Sequence, residues 1–328
     1  FKTIDHIVFA GVTHSRAVEL AERTVGLLPD PLTKVFFSDN GSTAVEVALK
    51  MTVQYWYNKG KNKSRFLAMH GAYHGDTFGA MSVGQRGYFN APFEGLFFDV
   101  DYIDFPSASN AEELLSHAED LFVTGEFAGL IVEPLVQGAS GMRMYSIDLL
   151  DRLTTLAKKY DVRVIFDEVM TGYGRTGKMF SLDHCSVKPD IVALSKGLTA
   201  GVMALGLTVA SEEIYTAFLA DETTKALLHG HSFTANPIAC AVACANLDLF
   251  EQENTWTSID SICRWNCLFS EELMHFDQVQ NIRQCGTILA FEIQSEKGNS
   301  YFSEIKEKAY EHFMNDGILI RPLGNVIF

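Results

Sequence analysis

Val162-Arg-Val-Ile-Phe-Asp-Glu168 decides the fold. Its apolar residues run without alternation up to two carboxylates, so both faces of this strand are expected to be covered, as in a parallel sheet clad by helices. Asp167 then stands at the carboxyl edge of the sheet, where open α/β folds bind ligands, although a structural ion pair is the plainer role for such a residue. Ile191-Val-Ala-Leu-Ser-Lys-Gly197 repeats the pattern with Lys196 at its end. A lysine at a buried strand end is costly unless its amine is neutral or covalently used, and Gly197 leaves room beside it. An exposed lysine at a turn is the alternative.

Outward from these two runs, the pattern predicts further strands over Lys34–Phe37, Arg65–Met69, Gly129–Glu133 and Leu205–Val209. Helical stretches lie between them, such as Ser42–Tyr57, with apolar residues at 44, 45, 48, 49, 51 and 55, and Ile147–Lys159. Strands alternating with helices predict an α/β domain with a mostly parallel central sheet. After about Asn236 the pattern changes to two long helices, strand character over Val279–Ile293, a helix near Tyr301–Met314 and a strand over Ile318–Arg321. At 328 residues the chain exceeds what one core usually serves, so a large domain over 1–245 and a smaller α+β domain over 246–328 are expected.

The formal charge of −15 opposes binding to nucleic acid, and the longest small-residue stretch, Gly197–Ala210, is too short and too glycine-rich to span a membrane. Six cysteines are too sparse for a disulfide scaffold, and with no secretory signal in view a cytoplasmic setting is expected. Cys240 with Cys244, and Cys263 with Cys267, have no histidine in register and read as small apolar helix residues rather than metal ligands. Both ends of the chain, Phe1 and the run Val326–Phe328, look cut.

Two motifs imitate other chemistries. Gly172-Tyr-Gly-Arg-Thr-Gly177 spells a dinucleotide fingerprint and, with Lys178, almost a P-loop. The first needs a helix opening at the third glycine, and the second needs Ser or Thr where Met179 stands. A nicotinamide-dependent oxidoreductase is the function this motif would imply. His70 and His74 have the spacing of a zinc protease, but Gly71 and Gly75 oppose a helix and the required glutamate is absent.

Asp39-Asn-Gly-Ser42 lies between a predicted strand and helix, where backbone N–H groups and the helix dipole could hold an anion, or where Ser42 is an ordinary cap. A phosphate cup, a carboxylate and a lysine at neighbouring strand ends are together the parts that pyridoxal 5′-phosphate requires. Ser38-Asp-Asn-Gly-Ser-Thr-Ala-Val-Glu46, Tyr73-His-Gly-Asp-Thr77, Ile131-Val-Glu-Pro134, Phe166-Asp-Glu-Val169, Thr171-Gly-Tyr-Gly-Arg-Thr-Gly177, Ser195-Lys-Gly197 and Asn236-Pro237 resemble the class III, fold-type-I aminotransferases. Val136-Gln-Gly-Ala-Ser-Gly-Met-Arg-Met-Tyr145 and Thr77-Phe-Gly-Ala-Met-Ser82 resemble the biotin-pathway branch of that class.

The resemblance implies a role for each matching position. Lys196 would be the Schiff-base lysine and proton carrier, and Asp167 the partner of the pyridinium nitrogen. Gly41 and Ser42 would hold the phosphate, joined by Ser232 of the other subunit of a homodimer. Tyr73 would cover one face of the ring beside the substrate and Val169 the other, with Glu133 behind them. Arg321 would clamp the carboxylate of 8-amino-7-oxononanoate, Gly230 and Arg175 would line the substrate space, and S-adenosylmethionine would be the amino donor. Ser232 stands where the family usually has threonine, and Met170 where many members have a glutamine contacting the cofactor. A different class III ω-aminotransferase, or a catalytically silent cofactor binder, are the neighbouring readings.

Overall fold

The computed structural model describes residues 3–294 and 304–328. Helix α1 (Ser15–Leu27) and strand β1 (Leu32–Ser38) are followed by α2 (Gly41–Asn58), β2 (Arg65–Met69), α3 (Phe78–Val83), β3 (Val100–Ile103), α4 (Ala111–Phe122) and β4 (Phe127–Val132). Next come the short hairpin β5 (Val136–Gln137) and β6 (Arg143–Met144), then α5 (Ile147–Lys159), β7 (Arg163–Asp167), β8 (Ile191–Leu194), β9 (Gly206–Ser211) and α6 (Glu212–Thr216). The chain ends with α7 (Pro237–Phe250), α8 (Glu253–Leu273), β10 (Val279–Cys285), β11 (Ile288–Ile293), α9 (Glu304–Asn315) and β12 (Val326–Ile327).

The central sheet has seven strands in the order β1-β9-β8-β7-β4-β2-β3. Pairing is parallel from β8 through β7, β4 and β2 to β3, whereas β9 runs antiparallel to both β8 and β1. Alternate side chains of each strand enter opposite layers. Val164 and Phe166 join a core with α1, α4, α5 and α7, while Ile165 joins a second core with α2. This two-sided cladding is why the run 162–167 shows no polar alternation, and each large side chain so buried contributes about 1.5–3 kcal/mol. A separate three-stranded antiparallel sheet, β10-β11-β12, packs beside α8. No helix among the described residues is long and apolar enough to cross a membrane.

The predicted mostly parallel α/β architecture is present, with several differences. β3 escaped sequence reading because it is four residues long and only its last, Ile103, is fully buried. The strand character over Val279–Ile293 takes the form of a two-stranded hairpin, β10 with β11. The strand predicted over Ile318–Arg321 does not form: these residues are irregular, and β11 pairs instead with Val326 and Ile327. Pro322 has no N–H to give a ladder there, and Ile318 and Leu319 are exposed. Of the helix predicted near Tyr301–Met314, Tyr301 to Ser303 lie outside the described residues. The expected division at 245/246 falls within α7. Cys240 and Cys244 are buried in that helix as core residues.

Candidate active site

Parallel strands end at the same edge of the sheet, so the segments after β1, β2, β4, β7 and β8 are brought together although they are far apart in sequence. Asp167 is opposite Ala193 in the β7–β8 ladder, which places Lys196 three residues beyond that register on the neighbouring strand. The edge therefore gathers Asn40–Ser42, His70–Thr77, Glu133, Asp167–Val169 and Ser195–Gly197.

Asp167 is 4% exposed. Its Oδ2 lies 2.7 Å from His74 Nδ1, and its Oδ1 accepts the Val169 N–H at 3.1 Å. An ionised carboxylate only accepts, so Nδ1 carries the hydrogen, and the buried Nε2 of His74 has no hydrogen-bond partner among the described residues. Behind this pair lies Glu133, also buried, whose two carboxylate oxygens accept the N–H groups of Tyr73 and Gly138, each at 3.0 Å. Burial, with Asp167 nearby, pushes the Glu133 carboxyl up to about 7, against the opposing pull of His74 and of the two N–H groups. Glu133 thus fixes the main chain of the loop that carries Tyr73. The Tyr73 ring stands half exposed at the edge, with its hydroxyl donating to Asp76 at 3.1 Å. Burial and the neighbouring Asp76 push that phenol up to about 12, so it is neutral at ordinary pH.

Asn40 caps α2 by accepting the Thr43 N–H at 3.0 Å, and its carbonyl takes the Ala44 N–H. The N–H groups of Gly41 and Ser42 remain as the open positive end of an eighteen-residue helix. Ser42 Oγ accepts the Thr77 N–H at 3.0 Å and meets the Thr77 hydroxyl at 2.8 Å, which ties the loop after β2 to this helix. A Cβ on Gly41 would lie 2.6 Å from a Val169 methyl, so only glycine lets the segment after β7 close on the cup.

The expectation of a buried Lys196 is corrected. Lys196 is exposed, at the first position of a single 3-10 turn, Lys196–Thr199, with Ser195 between it and β8. The desolvation cost argued from sequence is therefore avoided. Its φ of +40° is a strained value for a non-glycine residue, and its amine has no hydrogen bond or ion pair among the described residues.

The remaining expected residues are more scattered. Arg175 is exposed on the turn 172–177, after which no helix opens, and that removes the nucleotide-loop readings of this motif. Gly230 and Ser232 line a cavity of about 770 Å³ with Phe9, Val35, Phe37 and Leu227, and none of Asp167, Lys196 and Tyr73 borders it. Arg321 is exposed on the irregular segment before β12, not on a rigid strand. Met170 packs beside Gly138, where a Cβ would lie 3.1 Å from its methyl carbon. Sequence reading assigned no role to His74 or Thr77. Their partners lie 93 and 35 residues away, and only the proximity of the strand ends could have signalled them.

A family model described as aminotransferase class-III matches residues 1–328. The chain is a class III aminotransferase. An adenosylmethionine-8-amino-7-oxononanoate aminotransferase from Synechococcus elongatus is 43% identical to it over 334 residues, covering 99% of this chain and 78% of that protein. One of the same description from Geobacter sulfurreducens is 40% identical over 343 residues, covering 99% of this chain and 76% of that protein. Among solved structures, the adenosylmethionine-8-amino-7-oxononanoate aminotransferase of Methanocaldococcus jannaschii superposes with a TM-score of 0.93 at 35% identity, covering 99% of this chain and 76% of that one. The fold is thus that of the fold-type-I transaminases, as the sequence predicted.

Proposed function

We propose that this class III aminotransferase converts 8-amino-7-oxononanoate to 7,8-diaminononanoate, with S-adenosylmethionine as amino donor and pyridoxal 5′-phosphate as cofactor, in the cytoplasm and as a homodimer. The observation that carries the chemistry is the buried Asp167 carboxylate one strand away from the turn that presents Lys196. The substrate assignment rests on the relatives so described, at up to 43% identity over almost the whole chain.

The residues present fit the cofactor. Asp167 keeps lone pairs beyond the two it shares with His74 and Val169, and so can accept a pyridinium N–H. The Gly41–Ser42 end of α2 suits a phosphate, and Val169 and Tyr73 flank the space between with an apolar and an aromatic surface. Bound there, the cofactor supplies the electron sink and the carrier for the amino group. Asp167 holds the proton at the ring nitrogen, and its own orientation is held by His74. Lys196 Nζ would anchor the cofactor covalently and, once freed by the donor, would move a proton between the substrate carbon and the cofactor within each half-reaction, in opposite directions in the two. Arg321 binds the acceptor carboxylate, Gly230 and Arg175 line the space around it, and Ser232 of one copy completes the phosphate site of the other. Residues 1–245 form the cofactor-binding unit, and 246–328 the smaller unit that brings Arg321.

The test is spectroscopic. Chain loaded with pyridoxal 5′-phosphate should show a visible band that bleaches with S-adenosylmethionine and returns with 8-amino-7-oxononanoate. A band bleached by lysine alone would remove the proposed donor, and faster turnover of ornithine or γ-aminobutyrate would remove the acceptor. A band that no donor bleaches would mark a silent binder.

A further inference from the structure

The turn Gly172–Gly177 is a junction. Tyr173 backs the lysine-bearing turn so closely that a Cβ on Gly197 would lie 2.8 Å from that of Tyr173, and Gly174 faces Ile259 of α8. From the small sheet, the β10–β11 turn docks on the same segment. Gly286, with φ +59°, has no space for a side chain: a Cβ would meet the Thr176 carbonyl carbon at 2.2 Å and the Gly177 nitrogen at 2.3 Å. Thr287 follows, and donates both its N–H (3.0 Å) and its hydroxyl (3.1 Å) to the carbonyl oxygen of Arg175. Asn266 of α8 donates to the Thr287 carbonyl at 3.0 Å, and His184 Nε2 lies 3.1 Å from the Thr176 carbonyl. The main chain of Arg175 is thus fixed by the small unit. Its side chain is exposed, with no hydrogen bond or ion pair among the described residues.

We propose that Thr287 is a positioning residue for the anionic acceptor, acting through Arg175. This rests on the reading that Arg175 borders the substrate space. Two hydrogen bonds to one carbonyl fix the plane of the 175–176 peptide and with it the direction in which the arginine side chain leaves the backbone. A small rotation there is magnified at the end of a long side chain, and a misplacement of about 1 Å is enough to weaken a productive contact. The glycine at 286 is what allows the threonine to come so near.

The experiment compares Thr287→Val, Thr287→Ser and Arg175→Ala holoenzymes, alone and with Thr287→Val combined with Arg175→Ala. The acceptors are 8-amino-7-oxononanoate and its methyl ester, which keeps the chain but lacks the charge. Thr287→Val should raise the KM for the free acid about 3- to 10-fold, the scale of one lost hydrogen bond, with kcat and the ester kinetics unchanged. Thr287→Ser should restore the parental KM, and Thr287→Val should add nothing once Arg175 is alanine. Thr287→Ala reads the same loss should valine crowd the turn. Equal effects on acid and ester, an unchanged KM, or additivity with Arg175→Ala would overturn the proposal. If Arg175→Ala itself leaves the acid KM unchanged, the reading of Arg175 falls and the proposal with it. If Arg175→Ala raises that KM while Thr287→Val does not, only the positioning role is lost.

Discussion

Asp167 faces two donors, His74 Nδ1–H and Val169 N–H, and neither can be satisfied by an amide –NH₂. In Asp167→Asn the His74 ring can answer by moving its hydrogen to Nε2, which has no hydrogen-bond partner among the described residues, so the fold should lose only about 1–3 kcal/mol. The chemistry should lose far more. Without the negative charge at the ring nitrogen, each half-reaction should slow by on the order of 10³, as when an electrostatic transition-state contact is removed. Stopped-flow at the cofactor band measures this, and rates within a few-fold of the parent would make Asp167 merely structural. Lys196→Ala should abolish turnover with the melting temperature almost unchanged, because this side chain is exposed. Borohydride reduction should fix the cofactor to Lys196 in the parent; labelling of another lysine would refute the assignment. Arg321→Ala should lower kcat/KM for the keto acid by about 2–4 kcal/mol, the loss of a charge-assisted contact. Unchanged keto-acid kinetics would exclude Arg321 as the clamp. At this scale the sequence revealed the residues whose position follows from a strand end, Asp167 and Lys196. It could not reveal the His74–Asp167 pair, because a contact across 93 residues leaves no local pattern. The exposure of Lys196 was misjudged because the strand stops two residues before it.

The turns after β7 are held by one buried carboxylate. Glu168, fully buried, accepts the N–H groups of Ser181 and Leu182 at 2.7 Å each and the Thr171 hydroxyl at 3.2 Å. Burial pushes its carboxyl up to about 7, against the pull of those donors. Ionisation is thus harder in the folded chain than in the unfolded one, where a glutamate titrates near 4.5. Between those two values the folded state holds the extra proton, so the stability gained from Glu168 falls as pH rises through this window. The stability difference between parent and Glu168→Gln should accordingly shrink by on the order of 2 kcal/mol from pH 4.5 to 7 and level off above it. Urea titrations at stepped pH measure the difference, and a gap that widens with pH would contradict the raised carboxyl. Elements with a single strong period were readable. The eighteen-residue α2 begins at the capped Gly41, one residue from the predicted start, and α5 matches its predicted bounds. β3 and the segment 318–321 were not readable, since a short half-buried strand and an apolar loop differ only in whether a neighbouring strand is there to pair.

For the molecule as a whole, the proposed function has Ser232 of one copy complete the phosphate site of a second. Light scattering on the holoenzyme should give twice the chain mass, and a monomer fully active at nanomolar concentration would contradict the shared site. The topology also sets when the chain can fold. Among the described residues β1 has only β9 as a ladder partner, with Leu32 opposite Ser211, so β1 is made long before the strand that fits it into the sheet. A growing polypeptide must carry its apolar β1 and α1 outside the ribosome until β9 has emerged, while β2, β3 and β4 already have one another. Late closure across so long a loop is slow and leaves a sticky edge exposed. Synthesis in a cell should therefore depend on holding chaperones during translation, and refolding from denaturant should lose more material to aggregates as protein concentration rises.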